Sequence, residues 1–295
     1  MIIDFRLRPP FGDYVKLGMY TDKARCRSYA ANIGCEFAPS VAEESMELLL
    51  DDMDRNGIDM GVATGRVAHF AGGMSNDTVI RLVEAYPRRF TGFAGLDPRD
   101  WREAVRELHR TVVDGPLRGV VLEPGAVRPP MYGNDPRLYP VYAECEKYDI
   151  PVMVMLGGNA GPNVNYSFPE IIHQIAADFP TVNFIVSHGG WPWVQAVLGV
   201  CFVQPNIYLS PDLYLFNQPG WQDYVTAAHA YMQDRLLYAS AYPFLPLDCV
   251  QRFKAMFKPE VLPKLLYQNA VKLLKLEPHA TEESPVAADE RQPAA

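Results

Sequence analysis

Cysteine is scarce in this chain of 295 residues: Cys26, Cys35, Cys145, Cys201 and Cys249 make five, an odd number with no CxxC spacing. That excludes a disulfide framework and a thiolate zinc site, and it fits a reduced, cytoplasmic setting. No Gly-rich phosphate loop follows any apolar run, so the usual mark of a dinucleotide fold is missing. No apolar run is long enough to span a bilayer, and the start lacks a basic-then-apolar leader pattern. Positive charge is short as well: 27 Lys plus Arg against 35 Asp plus Glu gives a net charge of −8. That balance argues against nucleic acid and anionic membrane as partners, but it leaves room for a local basic pocket.

What is present is a large apolar complement. With 48% hydrophobic residues, the chain can bury one core of α/β-barrel size or two smaller ones. Short apolar runs at 2–5, 61–64, 90–96, 118–123, 151–156, 182–187, 206–210 and 236–240 read as strands. Helical patterns fit 76–87, 100–114, 136–148, 169–179, 221–232, 246–257 and 260–275, and another begins after residue 40. There Ser40 and Glu43 have capping-box spacing, and Gly57 supplies the stop. Asp135 reads as a further helix start, and Asn269 as a cap for the last helical region. Strands separated by helices demand right-handed crossovers and a parallel sheet. Eight such units predict a closed α/β barrel, a single (β/α)8 TIM-barrel domain over 1–276. Residues 9–40 form a long connection after strand one, the length expected of a lid, a binding loop or an interface arm. The Pro/Ala/Glu-rich end, 277–295, reads as a disordered tail.

Barrel chemistry sits where the strands end. The first strand carries Asp4, Arg6 and Arg8 at alternate positions, which strand alternation places on one face, with Ile3, Phe5 and Leu7 on the other. Strand two runs out at Arg66, strand four at Glu123, strand five at Met155, strand six at His188, strand seven at Ser210 and Asp212, and strand eight at Ala241 and Tyr242. Two guanidiniums can grip a carboxylate in bidentate fashion, with Arg66 as a third; otherwise Arg6 is a structural bridge to Asp4 or Glu123. His188 is the natural acid or base near neutral pH. Glu123 reads as a second base or as a counter-charge, and Asp212 as a further carboxylate or a loop anchor. Tyr242, Tyr132, Trp191 and Trp193 build an aromatic wall or pack the core. Ser210 has no Ser–His–Asp context. His69, His109, His173, His229 and His279 default to exposed or packing roles.

Several stretches in order, MDRNGID, PRRFTGFAGLDP, NDPRLYPVYAECEKYDIPV, FIVSHGGWPW, RLLYASAYPF and YQNAVKLLKL, carry a resemblance. Over roughly 1–276 the chain resembles the amidohydrolase-related TIM barrels, the group that includes aminocarboxymuconate semialdehyde decarboxylase. The resemblance implies a metal held by an HxH pair on strand one, a His ending strand five and an Asp before the Tyr-Pro of strand eight. This chain has Arg6 and Arg8, Met155 and Ala241 at those positions, and keeps His188. A guanidinium has no lone pair to give and a thioether is a poor ligand for zinc or manganese, so neither a catalytic metal nor another cofactor is expected. The resulting expectation is a metal-independent hydrolase acting on a small anionic, carboxylated substrate, similar to the superfamily's lactonases that work without a metal. Its catalytic residues are His188, Glu123 and Asp212, and its substrate-binding residues are Arg6, Arg8, Arg66, Tyr242 and Trp191. A lyase or decarboxylase of an unsaturated or aromatic acid is the alternative, and a non-catalytic binding barrel the third reading. The 9–40 arm and the apolar outer helices fit a homodimer.

Overall fold

The structure, a computed structural model, describes residues 1–276. The tail expected over 277–295, with His279, lies outside the described residues. Seven strands, β1 (Ile3–Leu7), β2 (Met60–Thr64), β3 (Phe90–Gly95), β4 (Gly119–Leu122), β5 (Val152–Met155), β6 (Phe184–Ser187) and β7 (Ile207–Ser210), pair in sequence order, every pair parallel. Helices between them, among them Met46–Asn56, Asn76–Ala85, Trp101–Leu108, Tyr139–Lys147, Pro169–Asp178 and Trp221–Ala228, supply the crossovers.

The expected eighth strand is an extended segment and not a full strand. Around residues 236–242 it forms single parallel bridges, Leu209 with Leu236 and Leu7 with Tyr242. Its backbone still bonds both edges of the sheet: the Leu237 N–H donates to the Leu209 carbonyl at 2.9 Å, and the Phe5 N–H donates to the Tyr238 carbonyl at 2.9 Å. Those bonds close the ring. Asn269, read as a helix cap, instead sends its side-chain amide to the carbonyls of Gln233 (3.0 Å) and Leu236 (2.8 Å), pinning the start of this segment.

The barrel interior is filled by Ile3, Phe5, Val62, Phe93, Val121, Met153, Ile185, Tyr208 and Leu237, while an outer cluster packs the strands against the helices. Leu7 belongs to that outer cluster, not to the inner one with Ile3 and Phe5. The register of β1 against β2 shifts between Asp4 and Leu7, so strand alternation changes phase there. The one-face reading of Ile3, Phe5 and Leu7 fails for that reason.

Two helices follow different rules from those read in the sequence. The helix Met46–Asn56 is capped by Ser45, whose hydroxyl accepts from the Leu48 N–H, and ends at Gly57 with φ 69°. Ser40 sits inside the preceding short helix, Pro39–Ala42, and meets the Tyr242 hydroxyl instead. The helix Val194–Val203 has no counterpart among the predicted helices, because its sequence, VQAVLGVCFV, is apolar on every side and shows no stripe.

The long connection after β1 folds over the mouth of the barrel. Tyr14 and Tyr20, both buried, fasten it: their hydroxyls donate to the carbonyls of Thr64 (3.2 Å) and Arg8 (2.7 Å). Its helix, Lys23–Asn32, is capped by Asp22, which accepts from the Arg25 N–H.

Candidate functional site

The strand ends bring five charged side chains and one imidazole into a network of two neighbouring groups, one around Glu123 and one around Asp212. Glu123, just past β4, accepts from Arg66 through both oxygens, from Nε at 2.7 Å and from Nη2 at 2.8 Å, and from Arg8 Nη2 at 3.0 Å. Arg8 Nε also reaches the Thr64 carbonyl at 3.3 Å. Across the barrel Arg6 Nη1 meets Asp212 Oδ2 at 3.4 Å, and Asp212 Oδ1 lies 2.9 Å from His188 Nδ1. Asp212 Oδ1 also accepts from the Leu213 N–H at 2.7 Å. Three guanidiniums thus face the carboxylates of Glu123 and Asp212, with the buried carboxyl of Asp4 close by on β1, its Oδ1 accepting from the Arg6 N–H at 3.2 Å. Charges taken out of water need such partners.

The electrostatics follow from burial and pairing. Burial alone would push the Glu123 carboxyl up, but Arg66 and Arg8 outweigh it and hold the group well below the ordinary range. Burial lowers Arg8 to about 9, with Arg66 across the shared carboxylate adding to the effect, and it lowers Arg6 as well. Burial also lowers His188 from 6.5, and Arg6 adds to this, while Asp212 opposes it. The ring is therefore neutral at pH 7. Since the carboxylate at Nδ1 can only accept, that nitrogen carries the proton and Nε2 keeps its lone pair. Nε2 has no protein partner among the described residues.

His188, Asp212 and Ala241 all have left-handed backbones, with φ of 67°, 43° and 56°. Non-glycine residues in that region store strain, and strain at three neighbouring strand ends marks a constructed site. Gly157 makes room for it, because a Cβ there would collide with the Cβ of His188.

Above the network lies a cavity of about 190 Å³, a volume suited to a small organic acid. Arg6, Arg66, His188 and Met155 line its floor, Tyr214 and Leu213 one wall, and Asp22, Arg25 and Tyr29 of the long connection its roof. Of the residues singled out in the sequence, Arg6, Arg66, Met155 and His188 reach this cavity. Arg8, Glu123 and Asp212 lie beneath it in the network and do not line it. Tyr242 is buried with its hydroxyl on Ser40, outside the lining. Trp191 stands one layer back, its ring stacked on Tyr214 at 4.8 Å and its indole N–H given to the Pro219 carbonyl. Tyr132 is exposed and stacked on Tyr166, and Trp193 donates to the Val164 carbonyl, so these two build no wall here. Ser210 is buried, and its hydroxyl has no hydrogen-bond partner among the described residues.

One lining residue had been set aside. His69, on the loop after β2, reaches the cavity with its Nδ1 accepting from the Ala71 N–H at 2.9 Å. Only Arg66, three residues earlier, hinted in the sequence that this loop turns back over the barrel.

The strand ends do not fit a divalent cation. β1 offers two guanidiniums, β5 the Met155 thioether and the closing segment the Ala241 methyl. Among the described residues no three His, Cys, Asp or Glu side chains are grouped to hold a metal ion.

Comparison with known proteins agrees with this architecture. A 2-keto-4-carboxy-3-hexenedioate hydratase of Sphingobium sp. (strain NBRC 103272 / SYK-6) is 26% identical over 230 residues, 64% of this chain; the match spans 65% of that protein's length. The crystal structure of an uncharacterized TIM-barrel protein from Bordetella bronchiseptica is 41% identical, with a TM-score of 0.89 over 93% of this chain and 98% of that one. A 2,6-dihydroxybenzoate decarboxylase from Rhizobium shares the fold at 16% identity, with a TM-score of 0.70 over 93% of this chain and 98% of the other. Residues 38–276 match the Amidohydrolase family, and with the barrel and its strand-end site in place the chain belongs to that family.

Proposed function

We propose that this chain is a lyase that moves a proton beside a carboxylate of a small, unsaturated, polycarboxylated acid, and that it does so without a metal ion. One observation carries the reading: the lone-pair nitrogen of His188 shares a cavity with the guanidiniums of Arg6 and Arg66, while Asp212 holds the ring from behind. The guanidiniums of Arg6 and Arg66 at the cavity favour an anion, and a guanidinium matches a carboxylate in two hydrogen bonds. The relative named as a hydratase supports addition of water as the reaction.

In that reaction Nε2 of His188 takes a proton from water, whose oxygen bonds to the carbon β to a carbonyl. The double-bond electrons move onto the carbonyl oxygen, giving an enolate beside Arg6 and Arg66. The imidazolium, stabilised by Asp212, then returns the proton to the α carbon, and the carbonyl reforms. Oriented positive charge at a developing oxyanion is the largest contribution a site of this kind makes. Hydrolysis asks for more, since a leaving group must also be protonated. Ala241 stands where the resemblance implies an Asp, so no acid is there to help, and Glu123 is engaged by two arginines and serves better as their anchor than as a base.

The test is an ultraviolet screen of unsaturated di- and tricarboxylic acids and their keto analogues for loss of conjugated absorbance, run alongside a CO2 assay. Turnover is expected with water uptake and no CO2, to fall by about 10³-fold or more in His188→Asn, and to hold as pH drops through the ordinary imidazole range and decline only below it, because burial holds His188 down. Turnover by His188→Asn at the wild-type rate would remove the imidazole from the mechanism.

A further inference from the structure

We propose that His69 is a second functional imidazole of the cavity, a neutral donor that presents its Nε2–H to a substrate oxygen. A backbone amide can only donate, so the 2.9 Å bond from the Ala71 N–H fixes Nδ1 of His69 as the acceptor. The neutral ring then carries its hydrogen on Nε2, which has no protein partner among the described residues. The ring is held in place as well as in tautomer. It stacks on Phe70 at 4.4 Å with 27° between planes, and the Phe70 N–H donates to the Ala126 carbonyl at 2.9 Å, tying the loop to the end of β4.

The groups facing this ring keep it uncharged. Burial acts first, Arg66, Arg8 and Arg25 add to it, and Glu123 opposes them, leaving His69 at about 3. The ring is therefore a fixed donor across the physiological range and not a proton shuttle. Its polarity is opposite to that of His188, whose Nδ1–H is given to Asp212 and whose Nε2 accepts. One cavity thus offers an imidazole base, an imidazole donor and the side chains of Arg6 and Arg66. A planar acid carrying a carboxylate next to a carbonyl or enolate oxygen fits that arrangement. This inference rests on the anion-binding reading of the cavity given above.

Oxalate, a planar dianion resembling such an enolate, is the probe, titrated calorimetrically into the full chain. His69→Phe is expected to weaken binding by about tenfold or more, as for loss of a hydrogen bond to a charged group. His69→Gln, which keeps an N–H near the Nε2 position, is expected to stay within about threefold. In the wild type, long-range ¹H–¹⁵N spectra should show the Nε2–H tautomer at pH 6 and pH 8 alike. A doubly protonated ring at pH 6, or the Nδ1–H tautomer, overturns the proposal. Unchanged affinity in His69→Phe with affinity lost in Arg6→Ala overturns it while leaving the anion site standing. Absence of oxalate binding to the wild type overturns the anion site itself, and the donor role with it.

Discussion

At Glu123 three guanidinium nitrogens converge on one carboxylate, and the cost of removing that carboxylate follows from what it separates. In Glu123→Gln, Arg8 and Arg66 would face each other, buried, with their shared counter-charge gone. Breaking a buried ionic group on one side costs about 3–5 kcal/mol, and urea unfolding should show a loss of that order. A loss below about 1 kcal/mol would mean that the cluster is solvated. The residues of this network were legible from the sequence because each stands at a strand end, and strand ends can be read from apolar runs. Depth was not legible. Arg6 and Arg8 are two residues apart, yet only Arg6 lines the cavity, since the phase change in β1 and the reach to Glu123 decide where each guanidinium stops. His69 was missed because its role comes from a bond to Ala71 and from a loop path, neither of which leaves a periodic trace.

Among the elements, the closing segment is the least regular part of the barrel, and it depends on side-chain anchors. Asn269 gives both hydrogens of its amide to backbone carbonyls at the segment's start, and Asp4 Oδ1 accepts the Ser240 N–H at 3.0 Å. Asn269→Ala leaves those two carbonyls without these donors, a loss of about 1–3 kcal/mol in unfolding free energy. Hydrogen exchange should place the faster opening at Leu237 and Tyr238, whose amides bond to Leu209 and Leu265; opening confined to the helix Asn269–Leu274 would make Asn269 a helix residue only. The elements that the sequence concealed each have a physical cause. Val194–Val203 lacks a polar face, the closing run LLYAS is strand-like but too sparsely bonded to count as one, and the capping hydroxyl turned out to be Ser45 because Ser40 is taken by Tyr242.

For the whole molecule, buried titratable groups give stability a dependence on pH with two opposing parts. Asp4 is fully buried, and burial raises it to about 6 from 3.8, with its Oδ2 unpartnered. Its folded state binds the proton more tightly than the unfolded chain, so its contribution is complete below pH 3.8 and lost as pH rises through 6. His69 and His188 act in the opposite sense: both are lowered from 6.5, so the stability they contribute is present above that value and lost as pH falls. Asp4→Asn removes only the first part. Relative to wild type, this variant should gain on the order of 3 kcal/mol between pH 4 and pH 8 in denaturant melts, whereas a difference that stays flat with pH would mean Asp4 is ionised throughout. The barrel as a whole was the most legible feature, because alternating strands and helices admit few topologies. The seven paired strands appear in sequence order, as that alternation requires.

We propose that His188 transfers the proton, with Arg6 and Arg66 holding the anion, at strand ends where the resemblance implies a metal. Proton NMR in D2O, on chelator-treated protein with its metal content checked, tests it most directly by following exchange of the hydrogen α to a carboxylate of a substrate found in the screen. Deuterium incorporation is expected from the metal-free wild type, and none above background from His188→Asn. Incorporation that appears only after zinc or manganese is restored, or that survives in His188→Asn, would contradict it.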